Sequence, residues 1–241
     1  PTSTGFQLVT TDNEFNANNG TYIYMAIRRG GMQTPTAASS VFTVVKGQAA
    51  NSNLVPGFTA NHVVDFALST QTSSASRVTG TSLLGDTFLT TNSTAAETAN
   101  SVTRTNGYQN GFFFTDDSAD SARIAWMWAR ARGYFDIVAY TGNDSNRTIS
   151  HNLGVAPEMM WVKDRGRNQN WAVYHANNTA EPATDRLRLN ESDATVDDNA
   201  YWNDTVPTSS VFSLGTDGDV NTNGEKYIAY LFATIANVSK V

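Results

Sequence analysis

Apolar residues along this chain alternate with polar ones in short runs and almost never recur at helical spacing. Clusters of Asn, Gly, Ser and Pro separate the runs. This pattern predicts an all-β chain. The clearest runs are Phe135 to Tyr140, Glu158 to Lys163, Trp171 to His175, Arg186 to Asn190, Val211 to Leu214 and Lys226 to Ala233. Most are rich in the aromatic and β-branched types that a half-buried pleated surface accommodates, and Arg186 to Asn190 alternates Arg with Leu. Only Thr94 to Ser101 (TAAETANS) lacks alternation and carries good helix formers, so a helical turn is expected there.

The same strings recur. IAWMWA from Ile124 lies over IAYLFA from Ile228, with a weaker copy, IYMAI, at Ile23. Upstream of each copy stands a Phe-bearing strand and a polar turn: GFQLVTTD from Gly5, GFFFTDD from Gly111 and VFSLGTD from Val211. GFTANHVVDFALS from Gly57 lies over GVAPEMMWVKD from Gly154, and FLTTNSTAA from Phe88 over RLRLNESDA from Arg186, which sets Asn92 opposite Asn190. The reading is a tandem of antiparallel β-sandwich modules of roughly 100 residues each. On this reading residues 1–32 are expected to be the closing strands of a preceding module, 41–132 and 134–237 two full modules, and 238–241 the start of a following segment. Such modules placed end to end would make a rod.

Strand faces follow from the alternation. Ile124, Trp126 and Trp128 share one face, expected to be core. On that basis Trp128→Asp should do more damage than Trp202→Asp. Met159 and Trp161 share a face while Met160 and Val162 take the other, so this strand is buried on both sides or lies at the module junction.

Composition narrows the function classes. The chain has 241 residues, 40% hydrophobic and 16% charged, with a formal net charge of -6. The few basic residues are scattered, which leaves no stripe to neutralise phosphates, and no nucleic-acid partner is expected. No apolar run reaches the length of a membrane-spanning helix, and no membrane insertion is expected. The chain has no cysteine, so thiolate metal sites and cysteine nucleophiles are excluded.

SHNLGVAPEMMWVKDR from Ser150, WAVYH from Trp171, LRLN from Leu187, PTSSVFSLG from Pro207 and VNTNGEKYIAYLFA from Val220 together resemble the repeated β-sandwich module of tail-fibre-like virion proteins of bacteriophages, common in phages of marine bacteria. The middle module is similar in outline through VVDFALS, LTTNSTAAET and IAWMWA. It departs from the pattern where Gly57 to Leu68 lacks the Pro157-Glu158 and Trp161-to-Lys163 signature. The resemblance implies a structural or adhesive virion part at the virion surface or outside the cell. It also implies a homo-oligomer, by analogy a trimer, in contact with other virion proteins. It assigns no catalytic or ligand residue.

Candidate sites remain. Asp219, Asn221, Asn223 and Gly224 spell the opening of a calcium loop, but the twelfth position falls on Tyr230, so the bidentate acid is missing and an Asn-Gly turn is the competing reading. Asp116, Asp117 and Asp120 form a comparable acidic cluster. No cofactor beyond that calcium is expected. His62, His151 and His175 are too dispersed for a metal set, His62 and His151 do not occupy matching positions, and His175, which ends a strand, is expected to be a structural imidazole. No Gly-x-Ser-x-Gly elbow, His-Glu-x-x-His or phosphate-binding glycine loop occurs, so no enzyme is expected. Trp171, Tyr174, Tyr201 and Trp202, with Asn170 and Asn203, would form a host-glycan site if their rings were exposed. The leading expectation is a structural segment of a phage fibre or other virion appendage serving host-surface attachment. A carbohydrate-binding adhesin and a decoration or filament subunit locked by strand exchange between chains are the alternatives.

Overall fold

The structure is a computed structural model that describes residues 13–22, 32–46, 53–54, 64–71, 74–85, 87–99, 112–113 and 124–241. Strands dominate it. In the first half these are β1 (Phe42–Lys46), β2 (Asn53–Leu54), β3 (Val64–Gln71), β4 (Ser74–Thr81), β5 (Thr87–Thr90), β6 (Thr98–Ala99), β7 (Phe112–Phe113) and β8 (Ile124–Ala129). The second half supplies β9 (Phe135–Thr141), β10 (Arg147–Ser150), β11 (Met159–Asp164), β12 (Ala172–His175), β13 (Asp185–Arg188), β14 (Val196–Asp197), β15 (Val211–Leu214) and β16 (Lys226–Phe232). Helix is confined among the described residues to the single turns α1 (Asn13–Asn16), a 3-10 turn at Ala38–Ser40, and α2 (Asn199–Trp202). The fold is all-β, with every named strand pair antiparallel.

The helical turn expected over Thr94 to Ser101 is not found among its described residues, Thr94 to Ala99. Thr98 and Ala99 form β6 and pair with Thr87 and Phe88, because an open strand edge offers ladder bonds that a short isolated helical turn cannot match. The weak third copy at Ile23 and the segments Gly5 to Thr11 and Gly57 to His62 lie outside the described residues, as do Asp116, Asp117 and Asp120.

The two halves share one strand order. A six-stranded sheet runs β1-β8-β3-β4-β5-β6 in the first half, and β9-β16-β11-β12-β13-β14 repeats it in the second. A two-stranded sheet accompanies each, β2 with β7 and β10 with β15. Registers agree: Trp128 faces Phe42 and Phe66 across its ladders, and Phe232 faces Phe135 and Met159 across the corresponding ones. The turn that leaves β8 recurs after β16, with bridges Ala131–Phe135 and Ile235–Ser239 and left-handed residues at Gly133 and Asn237.

Packing explains why β16 reads as a continuous apolar run. Tyr227, Ala229 and Leu231 face a core closed by Ile149, Phe212 and Leu214 of the small β10–β15 sheet and by Tyr201 and Trp202 of α2. Ile228, Tyr230 and Phe232 face a second core, into which the first half sends Phe66 and Leu89, with Leu68 and Trp128 packed against it. The β11 strand behaves as its alternation predicts: Met160 and Val162 join the first core, and Met159 and Trp161 pack on the second.

The two large sheets therefore meet face to face, in place of the end-to-end contact a rod would require. Phe66 lies 4.8 Å from Tyr230 and 5.6 Å from Phe135, ring centre to ring centre. Both halves present the equivalent face, since Trp128 and Phe232 hold matching positions and both pack on the shared core. On β8 the deeper burial falls on the face opposite to the expected one. Ala125, Met127 and Ala129 are fully buried, and Ile124, Trp126 and Trp128 are half-buried.

Charged clamps fix the halves to each other. Arg130 beyond β8 donates through Nε to the fully buried Asp136 of β9 at 2.8 Å. At the far edge, Arg165 grips Glu97 through Nε at 2.8 Å and Nη2 at 3.3 Å, and the Glu97 amide donates to the Arg165 carbonyl.

Candidate functional site

The polar loops at one end of the second half, after β9, β11, β13 and β15, gather most of its candidate chemistry. Residue by residue, that chemistry is turned inward. Asp164, at the end of β11, is fully buried and accepts from the amides of Gly166 and Arg167 at 2.9 and 3.0 Å and from Arg167 Nε at 2.7 Å. This folds the chain back and aims the Arg167 guanidinium across the gap. Its Nη2 donates to the Gly218 carbonyl at 2.9 Å and to Thr222 Oγ1 at 2.7 Å, which ties the β11–β12 loop to the β15–β16 loop. Lys163, also fully buried, donates to the carbonyls of Asp164 and Arg167 at 2.6 and 3.2 Å. Burial pushes its ammonium down to about 8, against the opposing pull of Asp164 and Asp219.

The calcium candidates sit in this cluster, and their oxygens are engaged. Asp219 accepts from the Asn170 amide through Oδ1 at 3.1 Å and from the Tyr201 hydroxyl through Oδ2 at 2.6 Å, with Arg188 Nη2 at 3.8 Å. Asn221 accepts from the Asn143 amide at 3.0 Å, and its Nδ2 donates to the carbonyls of Ser145 and Gly215 at 2.8 and 2.7 Å. Asn223 is exposed and receives the neighbouring loop only through its amide, which donates to Asp144. A cation here would have to displace these bonds. Thr222 to Glu225 forms the Asn-Gly turn, with the Glu225 amide donating to the Thr222 carbonyl at 3.2 Å and Gly224 at φ 78. Among the described residues, no group of three or more His, Asp or Glu is placed to hold a metal ion.

Aspartate 217 belongs to the same knot. Burial and the nearby Asp219 charge raise its carboxyl above the usual range, opposed by its bond from the Asp219 amide. Burial and the bond to Asp219 likewise push the Tyr201 phenol upward, so it stays a neutral donor.

The glycan candidates are corrected by burial. Trp171, Tyr174, Tyr201 and Trp202 are 0, 3, 1 and 1% exposed, so no ring face is open to a sugar. Trp171 stacks on Tyr230 at 6.1 Å and donates through Nε1 to the Thr90 carbonyl of the other half at 3.0 Å. Tyr174 meets Trp202 edge to face at 6.0 Å. Asn170 accepts from Asn190, and Asn203 accepts from Asn146 while capping α2 in the left-handed conformation. The structure does bring Asn170, Tyr201 and Asp219 together, as a structural knot.

His151 is buried, accepts the Leu153 amide on Nδ1 at 3.2 Å and pairs Nε2 with the Thr208 carbonyl at 3.2 Å. His175 accepts the Asn177 amide on Nδ1. His62 lies outside the described residues. Sequence reasoning missed Asp164, Arg167, Glu97 and the Arg130–Asp136 pair. The available signal was KDRGR from Lys163, a charge run placed directly after an apolar strand where a solvated turn would need none.

Comparison with known proteins adds one match. Residues 129–241, from the last residue of β8 through all of β9 to β16, match a family model described as a domain of unknown function (DUF7483). No curated protein and no solved structure matches the chain.

Proposed function

We propose that this chain is a non-enzymatic structural segment of a phage fibre or other virion appendage, serving host-surface attachment by holding other parts in place. The observation that carries this reading is where the charges go. Arg130–Asp136 and Arg165–Glu97 join the two halves, and Arg167, held by Asp164 within its own turn, ties the β11–β12 loop to Gly218 and Thr222 of the β15–β16 loop. Ion pairs with a buried carboxylate are weak sources of stability, and their role here is read as fixing geometry. The resemblance of residues 150–233 to tail-fibre-like modules supports the virion setting. The segment works at the virion surface as a homo-oligomer, a trimer by the same analogy, against other virion proteins. Burial of the four candidate rings leaves the adhesin reading without a site on those residues.

The test is immunogold labelling of purified phage particles with antibodies raised against the folded chain. Gold on a fibre or other appendage is the expected result. Labelling confined to infected cells, with none on particles, would overturn the proposal.

A further inference from the structure

A loop that carries a histidine braces the junction between the halves. The turn Ala131 to Phe135 joins β8 to β9, and its Gly133 amide donates to the Leu153 carbonyl at 2.7 Å. Leu153 is fully buried, and its own amide donates to His151 Nδ1. Asn152, between them, donates its amide to Asp136 Oδ2 at 2.8 Å, on the same carboxylate that receives Arg130. The loop 151–153 thus holds both the turn and the buried ion pair that couple the two halves.

His151 can do this only as the neutral ring protonated on Nε2. In that tautomer Nδ1 accepts from Leu153, and Nε2 donates to the Thr208 carbonyl. The ring lies stacked 6.4 Å from Phe212 of β15. The charged group acting on the ring is Asp136 of β9, already paired with Arg130 from the end of β8, while Arg132 of the turn lies against Gly154 farther along the loop. A second proton on Nδ1 would set two N–H groups against each other in a buried space. Burial holds the imidazole below its ordinary value, against the opposing pull of Asp136 and Thr208, as this geometry requires.

We infer that His151 is an acid-sensitive latch on the inter-repeat junction: protonating its ring breaks the Leu153 bond and frees the loop that anchors Gly133. The latch is closed above the ordinary histidine range and opens as pH falls through the lowered folded-state value. Such a device would let an acidic compartment or surface loosen two otherwise rigid halves.

Amide hydrogen exchange on the full chain tests this at pH 7.5 and pH 5, corrected for intrinsic rates. Protection at Gly133 and Leu153 is expected to fall at least tenfold at the lower pH in the wild type. His151→Asn, whose side-chain oxygen can accept the Leu153 amide without titrating, is expected to lose that fall. Unchanged protection in the wild type, or an equal fall in His151→Asn, would overturn the latch. Should that variant not fold, the His151 ring protons can be titrated by NMR in the wild type. A loosening that tracks the His151 midpoint supports the latch, and one that tracks a carboxylate midpoint overturns it.

Discussion

Asn190 gives its side-chain oxygen to the Trp171 amide at 2.8 Å, and Asn92 gives its own to the Arg77 amide at 3.1 Å. The two asparagines hold matching places after β13 and β5, and each satisfies a backbone donor of the adjacent segment, Trp171 just ahead of β12 and Arg77 within β4. Asn190→Ala would strand the amide of a fully buried tryptophan, at a cost of about 1–3 kcal/mol. Urea unfolding of the two proteins measures it, and a shift near zero would show that water replaces the side chain. This pairing was legible in the sequence because both asparagines stand in aligned strings. Its acidic counterpart was not. Glu158 accepts the Thr234 amide and Asp65 accepts the Arg130 amide, each bracing the residue that leaves β16 or β8. The apparent loss of the glutamate in Gly57 to Leu68 is thus a shorter carboxylate reaching the same backbone group.

Lys163 makes a pH prediction at the same scale. Its folded-state value of about 8 lies below the unfolded value, so the folded chain binds fewer protons between the two. Its contribution to stability therefore rises with pH across that window. The stability of wild type relative to Lys163→Met should grow by on the order of 1 kcal/mol per pH unit from about pH 8 to 10. A flat difference would mean that the buried ammonium keeps its charge.

Among the elements, β16 and β8 show how far alternation carries and where it stops. The period of two correctly separates the faces of β16, but it cannot say which face lies deeper when both are covered. On β8 the tryptophan face packs on the shared core while remaining half-buried, and the small-residue face is sealed. Trp202 reverses the expected order of sensitivity. It sits on α2, one helical turn capped by Asp198, too short to leave a periodic signature in the sequence. At 1% exposure it fills the core between sheets. Trp202→Asp should therefore destabilise the chain by more than about 4 kcal/mol, through a lost ring and a buried unpaired charge. Trp128→Asp should cost less, and thermal melts that rank the two the other way would contradict the burial assigned here. Gly215 marks the seam beside α2. A Cβ there would stand 2.2 Å from the Ala200 carbonyl oxygen, so Gly215→Ala should cost about 1–3 kcal/mol by chemical denaturation.

For the molecule as a whole, the aligned strings raise the expectation of a repeat, and the two large sheets share one strand order. No string states which surface of one half meets the other. The structure answers with equivalent faces, an arrangement like that of an isologous dimer held within one chain. Such a contact closes on itself, so a further copy cannot add through the same surface. The shared aromatic core, with Trp171 and Arg165 of the second half bonded to Thr90 and Glu97 of the first, makes the two halves one cooperative body. Calorimetry of the full chain tests this most directly. A single transition with equal calorimetric and van't Hoff enthalpies is the predicted result, and two resolved transitions, one for each half, would contradict it.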